Sequence, residues 1–344
     1  MRSILTRLVT ITWALSWLWC CAGNVRVSSD PVAMAGQPSG DGAGQSHPES
    51  ATDPGDSSGT SAEGDPGNPG THPSGSDPSP DDPAAGDPSG QGPQAFPSVN
   101  GQFAQTGPFA IRCASGGPSN GYTLCHPQDL GAGGRKHPIL TWGNGSFVTS
   151  QSYDGLLKHF ASHGFYVIAT NSTSSGRGTE MLAGITWLAS ENQNPSSPLY
   201  AKLDPEAVAA LGHSEGGGGT IAAGNDARVK CTLPIEPWMA ITPSSSSGLK
   251  GPTFIIAGSA DLRVSASAVK TKIYDPAQVP AVFGILQGGD HYTPGGDGGP
   301  DIRFAATAWL RLHLMGDESA RGLFYGGACT LCKDPNWQIE RKNQ

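Results

Sequence analysis

An α/β fold, with a mostly parallel central sheet and helices on both faces, is predicted for the chain from residue 99 onward. Short apolar segments alternate there with segments of helical length, and this order favours right-handed crossovers between parallel strands. Residues 99–344, which number 246, are ample for one large core. The predicted strands are 137–142, 165–170, 207–211, 229–234, 253–257 and 281–286, and the predicted helices are 153–163, 181–189, 265–274 and 301–315.

Local patterns support these elements in order along the chain. The helix at 153–163 places Leu156, Leu157 and Phe160 on one face, and Gly164 ends it. The apolar strand that follows is short enough to be buried on both sides, as parallel strands are. The same alternation of an apolar run and a helical segment continues to the last helix, at 301–315.

One sequence segment, residues 207–219, reads AVAALGHSEGGGG and places Ser214 at a predicted sharp turn. The pattern Gly-x-Ser-x-Gly is weak by itself, because a chain with 49 glycines meets it by chance. Here an apolar strand precedes it and a segment able to continue a helix, 220–223, follows it. A strand-turn-helix setting exposes a serine beside a base. Ser214 is therefore the predicted nucleophile of an α/β-hydrolase fold.

A serine nucleophile needs a histidine base and an acid, which follow in the order Ser, Asp, His in this fold. Asp261 comes just past a predicted strand, while Asp275 and Asp290 are alternative acids. Its place at a strand end favours Asp261. His291 lies in a loop after the next strand, whereas the other histidines lie in the N-terminal segment, before the serine, beside it or within a helix.

Two N–H donors are expected to stabilise the tetrahedral intermediate. The residue after the nucleophile, Glu215, supplies one. The glycine-rich segment 141–146 follows a predicted strand, so the N–H of Asn144 is the predicted second donor, with an ordinary glycine turn as the alternative. This chemistry requires neither a metal nor an organic cofactor.

The N-terminal residues 1–22 have the layout of a secretory signal, with Arg2 and Arg7 before an apolar run and small residues after it. A transmembrane anchor would need a longer run. Two processing routes remain open: acylation of Cys21 as in lipoproteins, or cleavage after Ala22 and free secretion. The protein is thus expected to be secreted or attached to the cell envelope.

Residues 23–98 are expected to form a disordered tether, because they are rich in Gly, Pro, Ser and Asp and poor in large apolar residues. Residues 27–98 hold 11 acidic and no Lys or Arg residues, whereas residues 99–344 hold 18 of each sign. The net charge of -8 therefore arises in the tether. Nothing basic remains to indicate nucleic-acid binding. A single catalytic domain, 99–344, acting as a monomer is expected.

Five cysteines lie beyond the N-terminal signal, and export permits disulfides. We favour pairing Cys113 with Cys125 and Cys329 with Cys332, leaving Cys231 buried in a strand, although spacing alone does not fix the pairing. A zinc site at Cys329 and Cys332 would lack an obvious second pair of ligands.

The chain resembles the bacterial polyester hydrolases and cutinases that include the polyethylene terephthalate hydrolases. The resemblance runs through most of residues 138–315. It is carried by the segments ASHGFYVI (161–168), NST (171–173), GHSEGGGG (212–219), PW (237–238) and GDH (289–291). It implies the triad Ser214, Asp261 and His291, with Trp238 beside the substrate.

Three positions depart from the pattern of this family. Asn144 stands where the family usually has an aromatic oxyanion-loop residue, Glu215 where it usually has Met or Gln, and Ser259 where it often has a carboxylate. The first removes one stacking face for an aromatic polymer. The triad is less affected.

The sequence therefore favours a serine esterase that cleaves carboxylic esters, polymeric ones included, through an acyl-enzyme. Trp238 and Tyr292 are the predicted substrate-binding residues, and Trp238 as a core-covering indole is the alternative. Within enzymes, a lipase or a carbohydrate esterase removing acetyl or feruloyl groups is the second hypothesis. A third hypothesis is a non-catalytic surface binding protein on a hydrolase fold, motivated by the long tether and by the carboxylate of Glu215 beside the oxyanion hole.

Overall fold

The computed structural model describes residues 92–239 and 245–343, and all of them belong to one compact unit. The predicted signal segment and nearly all of the predicted tether lie outside the described residues. Within the described ranges, no helix is both long and apolar enough to cross a membrane.

A nine-stranded sheet organises this unit, in the order β1-β2-β4-β3-β5-β6-β7-β8-β9. The six strands from β4 to β8 in that order are parallel, and β1, β2 and β9 pair antiparallel at the two edges. The predicted α/β-hydrolase architecture, with its mostly parallel sheet, is confirmed. The strands are β1 Ile111–Gly116, β2 Tyr122–Pro127, β3 His137–Gly143, β4 Tyr166–Thr170, β5 Leu203–His213, β6 Val229–Ile235, β7 Thr253–Gly258, β8 Ala281–Leu286 and β9 Trp337–Lys342.

Helices cover the sheet on both faces. Successive side chains of a strand point to opposite sides, so the fully buried central strands present side chains to both layers of helices. Leu140 of β3 packs in one cluster with side chains of α1 and α5, among them Phe160 and Trp309. Ile139, its neighbour, packs in a second cluster with Ile185 of α2. The helices are α1 Asp154–Ser162, α2 Thr179–Gln193, α3 Glu215–Ala223, α4 Ala266–Val269, α5 Gly299–Met315 and α6 Arg321–Phe324.

The predicted and observed elements differ chiefly at their ends and at the sheet edges. The helix predicted at 265–274 is α4 followed by a π-helical turn, Lys270–Tyr274. The three edge strands were not predicted. Half of β1 is exposed and β9 ends in three charged residues, so neither is an apolar run.

The folded unit begins before residue 99, the predicted boundary. The backbone N–H of Gln94 donates to the carbonyl of Gly133, and the ring of Phe96 lies against the rings of Phe109 and His137. One aromatic side chain among prolines is enough to attach this segment to the domain. The structure therefore corrects the end of the predicted tether.

Both predicted disulfides are present. Cys113 and Cys125 face each other across the β1 and β2 pair, and Cys329 bonds to Cys332. Cys231 is a free thiol buried in β6, as expected.

Candidate active site

The turn at Ser214 joins β5 directly to α3 and has the strained backbone of a nucleophile elbow. Ser214 has φ 53° and ψ −117°, a conformation that L residues rarely adopt. The flanking glycines are required by close packing. A Cβ on Gly212 would lie 2.4 Å from the carbonyl oxygen of Gly216, and one on Gly216 would lie 2.0 Å from that of Gly143. The sequence thus presents the Ser214 side chain at the carboxyl end of β5.

Three predicted residues meet at this edge of the sheet, each after a different parallel strand. The Oγ atom of Ser214 lies 3.0 Å from Nε2 of His291, and Nδ1 of His291 lies 2.7 Å from Oδ2 of Asp261. The other carboxylate oxygen, Oδ1, accepts hydrogen bonds from the backbone N–H groups of Arg263 and Val264, at 2.7 and 2.8 Å. The carboxylate of Asp261 is therefore fixed on both sides while it orients the imidazole.

The two alternative acids are engaged elsewhere. Asp290 accepts hydrogen bonds from the N–H of Tyr292 and from the hydroxyl of Thr293, within its own loop. Asp275 is exposed and pairs with Lys270 at 2.7 Å. Among the candidates weighed from the sequence, only Asp261 contacts the imidazole.

Asn144, the predicted second N–H donor, is bonded to the segments around it. Its N–H already donates to Oγ of Ser175, at 3.3 Å. Its side chain is fully buried, donates to the carbonyl of Thr170 at 2.6 Å and accepts from the indole N–H of Trp142 at 3.1 Å. All of these groups hold the loop to the sheet, so these contacts do not favour the N–H of Asn144 as the second donor.

The next residue of the loop, Gly145, packs close to the serine. A Cβ on Gly145 would lie 3.6 Å from Cβ of Ser214, and the N–H of Gly145 donates to the hydroxyl of Tyr153. The next residue, Ser146, donates its hydroxyl to Oε2 of Glu215. Which N–H of a glycine-rich loop faces the serine depends on backbone geometry. No pattern of residue types in the loop reports it.

Glu215, the first residue of α3, links this loop to a second one through its buried carboxylate. Oε2 accepts from Ser146, and Oε1 accepts from the hydroxyl of Ser174 at 2.7 Å and from the N–H of Gly176 at 3.2 Å. The side chain is therefore held away from the serine. The backbone N–H of Glu215 remains at the N-terminus of α3, where such groups favour negative charge.

Exposed apolar side chains border the triad. Trp238 is 39% exposed, and its backbone N–H donates to the carbonyl of Ser214. Tyr292, next to His291, is 65% exposed, while Leu262, next to the acid, is 99% exposed, and Phe147 is 86% exposed. Isolated exposed apolar residues are common, but three of these directly follow a residue of the site or of the loop beside it, and Trp238 is bonded through its backbone to Ser214.

Glu236 was not recognised from the sequence. It follows β6, which lies between β5, the strand before Ser214, and β7, the strand before Asp261. Its side chain is buried, at 1% exposure. Its Oε2 lies 3.3 Å from Nε2 of His213 and 3.8 Å from Nδ1 of His291. The only signal was an acidic residue directly after an apolar strand.

Burial governs the charge of this pair. Burial, with the nearby charge of Asp261 and a smaller effect of Asp290, raises the pKa of Glu236 to about 8, and His291 opposes the shift. Burial also lowers the pKa of His213 to about 4. Near pH 7 both groups are neutral, so their contact is not an ion pair.

Within the described residues, one cluster has the spacing of a metal site: the ligand atoms of His213, Glu236 and His291 lie within 4.8 Å of one another. However, Nδ1 of His291 is already bonded to Asp261 at 2.7 Å. We therefore treat His213 and Glu236 as neighbours of the triad and assign no metal to this cluster.

Comparison with known proteins places this geometry in a family. Residues 83–338 match the family described as "PETase: PET hydrolase-like". The chain is 28% identical over 231 residues to cutinase est2 of Thermobifida alba, covering 63% of this chain and 73% of that protein. It is 27% identical over 204 residues to cutinase 2 of Thermobifida cellulosilytica, covering 56% of this chain and 74% of that protein.

A relative with a smaller substrate in its name is also found. A bis(hydroxyethyl) terephthalate hydrolase of Streptomyces coelicolor is 23% identical over 205 residues, covering 57% of this chain and 63% of that protein. The family match spans most of the chain and includes the elbow, both loops and the histidine. The chain therefore belongs to the PET hydrolase-like family of α/β hydrolases and is a carboxylic ester hydrolase of the serine esterase type.

Proposed function

We propose that the chain is a polyester-cleaving esterase that works through an acyl-enzyme on Ser214. The observation that carries the proposal is the hydrogen-bonded series from Asp261 through His291 to Ser214, built on a strained elbow. In the first step Oγ of Ser214 attacks the ester carbonyl carbon while Nε2 of His291 takes the hydroxyl proton. The same nitrogen then returns the proton to the leaving alcohol oxygen, and water repeats the sequence on the acyl-serine.

Asp261 holds the imidazole in the tautomer that leaves Nε2 free to accept a proton, and its charge stabilises the imidazolium formed. The two backbone N–H groups on its other oxygen keep the carboxylate in place. Its role is therefore orientation and electrostatic stabilisation, and the carboxylate itself stays ionised.

The N–H groups of Glu215 and Ser146 are the proposed oxyanion donors. Glu215 begins α3 directly after the nucleophile, and Ser146 follows Gly145, which packs close to the nucleophile. The hydrogen bond from the Ser146 hydroxyl to the Glu215 carboxylate ties the two donors to each other. A fixed pair of donors needs no reorganisation as charge develops on the carbonyl oxygen.

A bulky or polymeric ester is the substrate class that the rim favours. Trp238 and Tyr292 are proposed to contact it, because both are exposed apolar surfaces beside Ser214 and His291. Relatives named as cutinases and as a bis(hydroxyethyl) terephthalate hydrolase support ester bonds of this kind. Ser146 has no aromatic ring, but Phe147, the next residue of this loop, is exposed, so its ring is available for stacking beside those of Trp238 and Tyr292.

Export of the enzyme is part of the same proposal. Disulfides persist in oxidising compartments, and the catalytic domain holds two of them. They agree with the signal predicted at 1–22, whether it ends in an acylated Cys21 or in cleavage after Ala22. Mass measurement of the mature N-terminus distinguishes a lipid-tethered form from a freely secreted one.

Labelling with a fluorophosphonate tests the function. Folded enzyme should form a covalent adduct on Ser214, and Ser214→Ala should lose both the adduct and nearly all ester turnover, roughly 10⁴-fold or more. Ser115→Ala, at an exposed serine of β1, is the matched control and should behave as the unmodified chain. Absence of a Ser214 adduct on folded protein would instead indicate a binding protein.

The substrate class is tested with p-nitrophenyl esters of increasing chain length, run beside polyester particles. Release of soluble products from the particles supports the polyesterase. Turnover confined to long-chain esters would indicate a lipase, and turnover confined to acetylated or feruloylated carbohydrate would indicate a carbohydrate esterase.

A further inference from the structure

A second buried acid lies beside the histidine of the triad, at the carboxyl end of β6. Oε2 of Glu236 is 3.8 Å from Nδ1 of His291, the nitrogen that Asp261 also contacts, and 3.3 Å from Nε2 of His213. The contact between Glu236 and His213 is not a hydrogen bond, since neither Oε2 of Glu236 nor Nε2 of His213 has a hydrogen-bond partner among the described residues. An unpartnered carboxyl oxygen at 1% exposure is expensive to keep, and such groups concentrate at functional sites.

The backbone also holds Glu236 in place at a cost. Its φ is +46°, in the left-handed region that favours glycine, and its N–H donates to the carbonyl of Ile256 at 2.7 Å. Space for the carboxyl group exists because residue 258 is glycine: a Cβ there would lie 2.9 Å from Oε1. A strained residue whose buried carboxyl group packs against a glycine indicates a role in the site.

The charged and titratable groups that face Glu236 come from several elements. They are His213 at the end of β5, Asp261 after β7, Asp290 and His291 after β8, and Tyr153 before α1. The charge of Asp261 disfavours a second negative charge on Glu236, whereas a positive imidazolium at His291 favours it. The ionisation of Glu236 is thus coupled to the two groups that perform proton transfer.

We propose that Glu236 is a positioning residue for His291, a second acid that supplements Asp261 and assumes part of its function when the charge of Asp261 is removed. The proposal rests on the catalytic roles proposed above for Ser214, His291 and Asp261. No covalent step is added. Glu236 acts only by stabilising the imidazolium that forms when His291 takes the serine proton.

A double-mutant cycle on the full chain tests this assignment. Initial rates on a soluble p-nitrophenyl ester are measured at pH 8 for the unmodified chain, Glu236→Gln, Asp261→Asn and the double variant. Glu236→Gln alone should lower kcat by a small factor, about 3-fold, because Asp261 still supplies the charge that stabilises the imidazolium. Asp261→Asn should lose about 10² to 10³-fold, less than the roughly 10⁴-fold typical of a triad without a second acid. Adding Glu236→Gln to Asp261→Asn should lower kcat at least 10-fold further.

The pH profile supplies a readout that a structural role would not move. In Asp261→Asn, kcat should rise as Glu236 ionises, and this limb should be absent from the double variant. Melting temperatures check that each variant is folded. Glu236→Leu, which removes the polar atoms at similar volume, repeats the cycle if the glutamine variant is not recovered folded.

Equal or smaller fold-losses from Glu236→Gln in the Asp261→Asn background than in the unmodified chain would overturn the proposal. So would identical pH profiles for Asp261→Asn and the double variant. Ser214→Ala, run in parallel, separates the two levels: if it keeps its activity, the proposed function itself fails. If Ser214→Ala is inactive and the cycle shows no coupling, only the role of Glu236 fails.

Discussion

Replacing Glu236 by glutamine should stabilise the protein at alkaline pH and leave its stability nearly unchanged in acid. The carboxyl group has an ordinary pKa of 4.5 in the unfolded chain, and burial raises the pKa to about 8 in the folded one. Below pH 4.5 both states hold the proton. Between pH 4.5 and 8 the unfolded chain releases it while the folded chain retains it, so the free energy of unfolding falls as the pH rises.

The size of the effect follows from the same shift. Each pH unit between the two pKa values removes up to about 1.4 kcal/mol of stability, so the full interval amounts to at most about 5 kcal/mol. Relaxation and water entry reduce this, and we expect at least about 2 kcal/mol between pH 5 and pH 8.5. Glutamine has no proton to release in this range, so the loss should be absent from Glu236→Gln.

Urea unfolding of both chains at pH 5, 7 and 8.5 measures the difference. A constant offset reports only the altered contacts of the amide, so the informative quantity is the change of that offset with pH. Glu206→Gln is the matched control, because the side chain of Glu206 on β5 is 83% exposed. Its offset should not vary with pH. A pH-independent offset for Glu236→Gln would show that the buried carboxyl does not retain its proton and would refute the reasoning.

Three further predictions concern the rim, the loops and the domain boundary. Trp238→Ala should weaken turnover of bulky or polymeric esters several-fold more than of acetate esters, since a stacked ring contributes about 0.5 to 1.5 kcal/mol beyond area burial; equal losses with a lower melting temperature would make it structural. Glu215→Ala removes the carboxylate that accepts from the hydroxyls of Ser146 and Ser174 and from the N–H of Gly176. It should lower the free energy of unfolding by about 2 to 4 kcal/mol in urea titrations, and it should also lower kcat in ester assays. Residues 92–344 should hydrolyse a soluble ester like the full chain, and residues 99–344 should melt at a lower temperature.

The elbow and the triad could be predicted because local sequence determines them. Close packing permits only glycine at positions 212 and 216, so the motif survives in the residues themselves. Asp261 and His291 each follow an apolar strand, and the carboxyl ends of parallel strands meet at one edge of the sheet. Strand ends and glycines are visible without knowing which strands are neighbours.

The contacts of Asn144, the edge strands and Glu236 could not be predicted for a shared reason. Each depends on a geometric relation that residue types do not encode. The side chain of Asn144 satisfies the sheet, and whether its N–H faces the serine is decided by the turn that follows. Edge strands such as β9 are half exposed, so they lack the apolar run that marks the central strands. Glu236 is buried because β6 lies between β5 and β7, the strands that precede Ser214 and Asp261.

Strand order explains how a chain of this kind comes to hold two acids beside one histidine. The strands β5, β6, β7 and β8 are consecutive neighbours, and adjacent strands lie about 4.8 Å apart. The residue after β6 must therefore lie between the nucleophile that follows β5 and the acid that follows β7, whatever its type. Here that residue is a glutamate buried beside the imidazole, and the glycine at position 258 leaves space for its carboxyl group. Asp261 approaches Nδ1 of His291 at 2.7 Å and Glu236 at 3.8 Å, and burial together with the nearby charge of Asp261 raises the pKa of Glu236, so the farther acid is the one that retains its proton near neutral pH.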